Sequence, residues 1–221
     1  MEVEKDNVNE MSMETDKEVA PNENGQIAIS GHIKIFDPNT DEVIVDKRNA
    51  IHYENMSESL ANSLANKTIG QIYSMAFGNG GSSVDPTGVI TYLPPNTTGQ
   101  NADLYNQTYT KVVDDNSAAN TDTSRNKLTV THTTGKVYTD VLVSCLLDYG
   151  EPSGQQAFDN STDFNGDYVF DELGLKVWNG SATNLRLITH VIFHPVQKSL
   201  NRQIQIDYTV RIQTLTNLSA T

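Results

Sequence analysis

Residues Ile204-Gln205-Ile206-Asp207-Tyr208-Thr209-Val210-Arg211-Ile212-Gln213 decide the fold. Ile204, Ile206, Tyr208, Val210 and Ile212 fall on one side of an extended chain, and Gln205, Asp207, Thr209, Arg211 and Gln213 on the other. Side chains alternate across a strand with period two, so this pattern marks a strand with one face in a core and one in water. The period recurs near the start of the chain, where Ile27, Ile29, Gly31, Ile33 and Ile35 alternate with Ala28, Ser30, His32 and Lys34. Asp37-Pro38-Asn39-Thr40-Asp41 then supplies turn residues and Val43-Ile44-Val45 resumes the apolar pattern, which predicts a hairpin.

Between these ends, Leu128, Val130 and His132 alternate, and Val141 to Leu147 is a short continuous apolar run of the kind buried on both faces. Tyr168-Val169-Phe170, Glu172 to Trp178, a turn at Asn179-Gly180 and Leu185 to Phe193 read as further strands. Ile69 to Phe77 reads as another, running into Gly78-Asn79-Gly80-Gly81-Ser82-Ser83. One helix is expected, capped by Asn55 with Glu58 in the capping-box position, carrying Met56, Leu60 and Leu64 on one face and stopping at Gly70. Strands in hairpin-like succession with a single helix predict a mainly β protein, an antiparallel β-sandwich with one short helix and long loops.

The chain has 221 residues and a formal net charge of -13, with 37% apolar and 19% charged residues. The length suits one sizeable all-β domain or two small ones. Residues 1 to about 25 are set apart by charge: the first 26 residues hold Glu2, Glu4, Asp6, Glu10, Glu14, Asp16, Glu18 and Glu23 against Lys5 and Lys17. Val3, Val8, Met11, Met13 and Val19, taken together, follow neither the helical nor the strand period, so this segment is expected to be a flexible acidic arm before a single domain over 26–221. No run of about 18 apolar residues suggests a spanning helix, and Met1 to Asp6 lacks the basic and apolar regions of a secretory signal. The acidic balance argues against electrostatic binding of nucleic acid, which needs a cationic face.

The sequence offers no convergent catalytic set. Cys145 is the one cysteine, which excludes an internal disulfide and a cysteine-only zinc site, and its apolar strand predicts an inert thiol. His190 and His194 are four apart in a strand, about 13 Å from each other, too far to share a metal without a bend. The glycine cluster after Phe77 lacks the Lys-Ser/Thr of a phosphate loop, and no G-x-S-x-G elbow occurs. Asp159, Asp163, Asn165 and Asp167 form an oxygen-rich stretch that departs from the EF-hand pattern. Asp171 and Glu172 have no partner that sequence alone can assign. The reading therefore names no catalytic residue, no cofactor and no metal ligand.

From about Gly78 to Asn126 the chain is rich in Asn, Thr, Gly, Asp and Pro, with Pro94-Pro95 in its middle. Long loops of this kind inside a compact domain carry a function or a contact. The interface candidates are accordingly Phe77, Gly78, Asn79, Gly80 and Gly81, together with Tyr92, Pro94, Pro95, Tyr105 and Tyr109.

The order of segments resembles a known family. Ile33 to Pro38 and on through Val45, then Asn49-Ala50-Ile51, a short helix, and Met75-Ala76-Phe77-Gly78-Asn79-Gly80-Gly81 resembles the opening of small structural proteins of tailed bacteriophages. There a hairpin of the form D-x-x-T-x-E-V leads to an N-x-I step, a helix and an F-G-x-G strand end. Glu172-Leu173-Gly174-Leu175, Leu187 to Phe193, Pro195-Val196-Gln197-Lys198 and the final alternating strand look like the closing part of the same proteins. The resemblance covers most of residues 31 to 213; residues 82 to 126 are longer than in its simplest versions, and the acidic arm falls outside it.

The resemblance implies a non-enzymatic virion component of the neck, collar, tail or baseplate, assembled in the host bacterial cytoplasm as symmetric sets of copies. Its implied partners are copies of itself and neighbouring portal, neck, tail or fibre proteins, with no direct contact to nucleic acid and none to membrane. Two rivals remain at the level of sequence: a decoration or cement protein on the capsid surface, and a carbohydrate-binding module using loop tyrosines as a stacking platform.

Overall fold

The computed structural model describes residues 25–152, 169–199 and 201–216. The acidic arm, but for Gly25, and the Asp159–Asp167 stretch lie outside the described residues. The described residues form thirteen strands and one helix, joined by turns and loops. The final alternating segment is strand β13, Ile204–Thr216, and it lies at the centre of a five-stranded antiparallel sheet in the order β2-β1-β13-β9-β8. Its neighbours are β1 (Gly25–Phe36) and β9 (Tyr138–Leu147); β2 (Val43–Arg48) and β8 (Lys127–His132) form the edges. The second sheet runs β3-β12-β10-β4-β7, all antiparallel, from β3 (Ala50–Ile51) and β12 (Thr189–Gln197) through β10 (Val169–Ser181) and β4 (Ile72–Gly78) to β7 (Gln107–Val112). β11 (Asn184–Leu187) pairs with the far end of β10.

The inner faces of the two sheets close one core. Ile33, Ile35, Val143, Cys145, Ile206 and Tyr208 come from the first sheet, and Met75, Phe77, Leu173, Leu175, Val191 and Phe193 from the second. Phe77, Phe170 and Phe193 meet edge to face, with ring centroids 5.4 and 5.9 Å apart, an arrangement that suits the ring quadrupole. The expected mainly β antiparallel sandwich is thus what the chain forms.

Several local expectations are corrected. Helix α1, Tyr53–Leu64, starts two residues before the expected cap: His52 is the N-cap, and its Nδ1 accepts the Asn55 N–H at 3.3 Å. β3 leads straight into the helix, which leaves Asn55 inside the first turn, where its amide donates to the Leu187 carbonyl at 2.9 Å. Glu58 then sits too far along to close a capping box; it accepts from Gln100 instead. The chain leaves the helix through Asn66 and Thr68, both at positive φ, and Gly70 serves the next step by donating its N–H to the Trp178 carbonyl. Strand β4 consequently begins at Ile72 instead of Ile69. Asn179-Gly180 forms an irregularity in the β10–β11 hairpin, with Gly180 at φ 96°, and the reversal follows it. Leu185 to Phe193 divides at Ile188 into β11 and β12.

The 78–126 segment is the largest correction. It carries β5 (Ser82–Val84), β6 (Ile90–Tyr92), which pair with each other, and β7. Among the described residues no helix is long and apolar enough to cross a membrane.

Candidate functional site: a loop cover on two buried carboxylates

Strand β10 is buried on both faces from Val169 to Val177, although it contains Asp171, Glu172 and Lys176. Phe170 and Leu173 both join the core though three residues apart, and the register against β12 shifts between Phe170 and Glu172. An extra residue of this kind re-aims the side chains beside it. Beyond the bulge, Glu172, Gly174 and Lys176 alternate onto the outer face of the second sheet, away from the core. Residues 79–106 fold across that face as a cover.

Glu172 is the main anchor of the cover. Its Oε1 accepts the N–H of Gly80 at 3.1 Å and of Asn106 at 2.8 Å, and its Oε2 accepts the N–H of Tyr105 at 2.9 Å. His190 Nε2 lies 3.0 Å from the same Oε2, and His190 Nδ1 accepts the Asn96 N–H at 2.8 Å. Since Nδ1 is an acceptor, the ring hydrogen stands on Nε2 and points at the carboxylate. A single buried carboxylate thus collects four donors, three from the two ends of the cover and one from His190 on β12. Burial raises the Glu172 carboxyl, but the hydrogen bonds from His190, Asn106, Tyr105 and Gly80 outweigh it and hold the group below its ordinary value.

Asp171 grips the start of the cover. Its Oδ1 accepts the Gly81 N–H at 2.9 Å, and its Oδ2 accepts the Ser82 N–H at 2.7 Å and the Ser82 hydroxyl. Here burial wins: it lifts the Asp171 carboxyl above the usual range against the pull of the Ser82 and Gly81 donors, with the charge of Glu172 adding to the rise. The third anchor is Lys176, whose ammonium donates to Asp103 Oδ2 at 2.6 Å and Gln107 Oε1 at 2.5 Å. Leu104 adds an apolar contact on Ala76 and Leu187.

The close seating of the cover accounts for the glycines after Phe77. A Cβ at Gly78 would stand 2.5 Å from both the Asn106 carbonyl and Glu172 Oε1, and one at Gly80 would stand 2.8 Å from the Asn106 nitrogen. The run is a landing strip for residues 105–106, with a role in packing that its resemblance to a phosphate loop hides.

The sequence-derived interface candidates separate into two sets. Phe77 lies in the core, and Gly78, Asn79 and Gly81 are buried. Their burial keeps them from meeting a partner directly: Phe77 packs between the sheets, Gly78 lies under Asn106, and Asn79 and Gly81 form the buried start of the cover itself. Gly80 is half-buried, and Tyr109 stands half-buried against Phe77 with ring centroids 5.9 Å apart. Burial, with Glu151 nearby, pushes the Tyr109 phenol up to about 12. Pro94 is exposed and Pro95 half-buried. Tyr92 and Tyr105 remain outward, 47% and 41% exposed, joined there by Leu93, Val84 and Val89. Their hydroxyls are engaged: Tyr105 donates to the Pro94 carbonyl at 2.6 Å, and Tyr92 lies 3.2 Å from His194 Nδ1.

A cleft of about 520 Å³ opens beside the cover, bordered by Lys47, Tyr92, Pro95, His190 and His194. Three of its polar groups hold structure: Lys47 donates to the Ile192 carbonyl at 2.7 Å, and the two histidines serve the different partners named above. Among the described residues no three His, Cys, Asp or Glu side chains are grouped to hold a metal ion. Cys145 is buried and its thiol is pushed up to about 12 by that burial.

Sequence reasoning missed Asp171, Glu172, Lys176 and His190 as a constellation. The available signal was the pair of adjacent acids, with Lys176 four residues on, between the apolar residues Val169-Phe170 and Leu173, Leu175 and Val177, since buried charges persist only where partners meet them. The chain matches no protein family, no curated protein and no solved structure.

Proposed function

We propose that this protein is a non-enzymatic structural component of a tailed-phage particle, acting at the neck or head-tail connection as an adaptor or fibre anchor and working as a symmetric set of copies. The observation that carries the reading is the use made of the buried polar groups. Asp171, Glu172, Lys176 and His190 are all spent on fixing the 79–106 cover, and the cover in turn presents Tyr92, Leu93 and Tyr105 to the outside. A firmly held surface of aromatic and apolar residues suits protein contact, because little ordering entropy is left to lose on docking. The motif order over residues 31 to 213 supports the same reading by resemblance. In a closed ring the contacts are heterologous, one face of a subunit meeting a different face of the next. Partners are then copies of the chain and neighbouring virion proteins, and the mild acidity of the domain keeps it from gripping DNA.

Mass spectrometry of purified particles, paired with the molar mass of the isolated protein across concentrations, tests the proposal. The expected result is a particle-associated protein that oligomerises. A protein absent from particles and monomeric at high concentration would end it.

A further inference from the structure

Two fully buried histidines hold one short stretch of the cover: His190 on β12 and His52, the N-cap of α1. Each makes two hydrogen bonds that fix where its ring hydrogen stands. His190 Nδ1 accepts the Asn96 N–H at 2.8 Å, and its Nε2 donates to Glu172 at 3.0 Å. His52 Nδ1 accepts the Asn55 N–H at 3.3 Å, and its Nε2 donates to the Gly99 carbonyl at 3.0 Å. A ring nitrogen that accepts carries no hydrogen, so both imidazoles are neutral with the hydrogen on Nε2.

Residues 96–99 form a strap between the two rings. Its sequence, Asn96-Thr97-Thr98-Gly99, contains no large apolar side chain, so hydrogen bonds do the seating. Besides the two histidine bonds, the Thr97 carbonyl accepts the Tyr53 N–H at 3.3 Å, and the Asn96 amide donates to the Asp103 carbonyl at 2.6 Å. The ends of the strap are tied without histidine. Tyr105 donates to the Pro94 carbonyl on one side, and Asn55 and Arg186 donate to the Gln100 carbonyl on the other.

A second hydrogen has no place on either ring. On His190 it would face the Asn96 N–H, and on His52 the Asn55 N–H. Two donors then oppose each other in a buried site, and at His52 the new charge also meets the positive end of the helix. The ionisable groups around His190 are Glu172 on β10, which would pair with an imidazolium, its neighbour Asp171, the Tyr105 phenol of the cover, and Lys47, Arg48 and His194 around the adjoining cleft. Around His52 they are Tyr53, Glu54 and Glu58 on α1 and Arg186 on β11.

We propose that His52 and His190 form an acid-sensitive latch, in which protonation of the rings releases residues 96–99 from β12 and α1 while the two-sheet core stays folded. The freed rings turn toward water, and the wall that Pro95 and His190 give to the 520 Å³ cleft opens. The latch works whatever docks on the outer side of the cover.

Amide hydrogen exchange of the full chain from about pH 7.5 to about pH 5 tests this, with rates corrected for the pH dependence of unprotected amides. The Asn96 and Tyr53 N–H groups report the strap, and those of Ile206 and Tyr208, in the central strand β13, report the core. The open strap takes up a proton at each ring. Its population should therefore rise by up to about tenfold per pH unit for each histidine below about pH 6.5, where a solvated imidazole is charged, and by more than tenfold in the parent. The full-length variants His52→Asn and His190→Asn keep an acceptor oxygen and cannot titrate, so each should rise less steeply than the parent, by about tenfold per pH unit. Strap opening that is independent of pH, or equally steep in the parent and both variants, would overturn the proposal. Strap amides that exchange only together with Ile206 and Tyr208 would overturn it too, since the opening would then be unfolding of the whole domain.

Discussion

Glu172→Gln keeps the side chain's shape while removing its charge and one of its two acceptor oxygens. In the native protein Oε1 serves the Gly80 and Asn106 N–H groups, and Oε2 serves Tyr105 N–H and His190 Nε2. A glutamine satisfies one of these pairs with its carbonyl and turns its amide hydrogens toward the other. His190 cannot relieve the conflict by moving its hydrogen, because Nδ1 must accept the Asn96 N–H. Two donors are left without an acceptor, at about 1–3 kcal/mol each. Tyr105 and Asn106 lie at the rim of the cover, where water recovers part of the loss, so the net cost is about 3 kcal/mol. For a domain of this size that corresponds to a melting midpoint lower by about 6–12 °C. Denaturant and thermal unfolding read the global cost, and amide exchange at Gly80, Tyr105 and Asn106 reads the loosening of the cover. A loss under about 1 kcal/mol with unchanged exchange at those amides would refute the reasoning, because the carboxylate would then not be what seats the cover.

Other outcomes follow from the same geometry. Glu172 titrates below its unfolded value of about 4.3, so its contribution is complete above that pH and is lost as pH falls through the lower folded value; the stability gap between parent and Glu172→Gln should narrow on that acid side in urea titrations. Asp171 has the opposite sign: its folded carboxyl titrates above the unfolded value of about 3.9, its contribution is lost as pH rises through the folded value, and the cost of Asp171→Asn should shrink over that rise. Phe77→Ala should cost about 3–5 kcal/mol by chemical denaturation, as expected for a ring in a packed core, whereas Tyr92→Ala should stay within about 1 kcal/mol and instead weaken self-association measured by sedimentation. Cys145 should resist a thiol reagent in the native protein and react only as fast as the domain unfolds, seen as matching rates in a denaturant series.

The strands were legible because their signal is local. Alternation at Ile29–Ile35 and Ile204–Ile212 follows from one wet and one more buried face, although Ile27, at the open start of β1, stands exposed. The continuous run Val141–Leu147 forms a strand between two neighbours, but only its end, Cys145–Leu147, is buried on both faces, while Val141, Leu142 and Ser144 are half-buried. The start of the helix was misplaced because a histidine ring, outside the usual capping residues, performs the capping at His52. The cover was illegible for a different reason. Residues 79–106 have little apolar periodicity, since backbone N–H groups fastened to Asp171 and Glu172, 66 to 92 residues away in sequence, hold them in place. The glycine run after Phe77 looked like a contact surface in sequence, and it is one, but the surface it contacts belongs to its own chain. Tyr92 and Tyr105 were recognisable as outward residues, yet their hydroxyl partners, His194 and Pro94, depend on how the cover folds.

The central claim is that this domain works as a fixed surface within a tailed-phage particle. Electron microscopy of intact particles carrying a labelled copy of the protein tests it most directly. The account predicts a discrete label at the neck or head-tail connection; unlabelled particles, or a signal spread over the whole capsid shell, would contradict it.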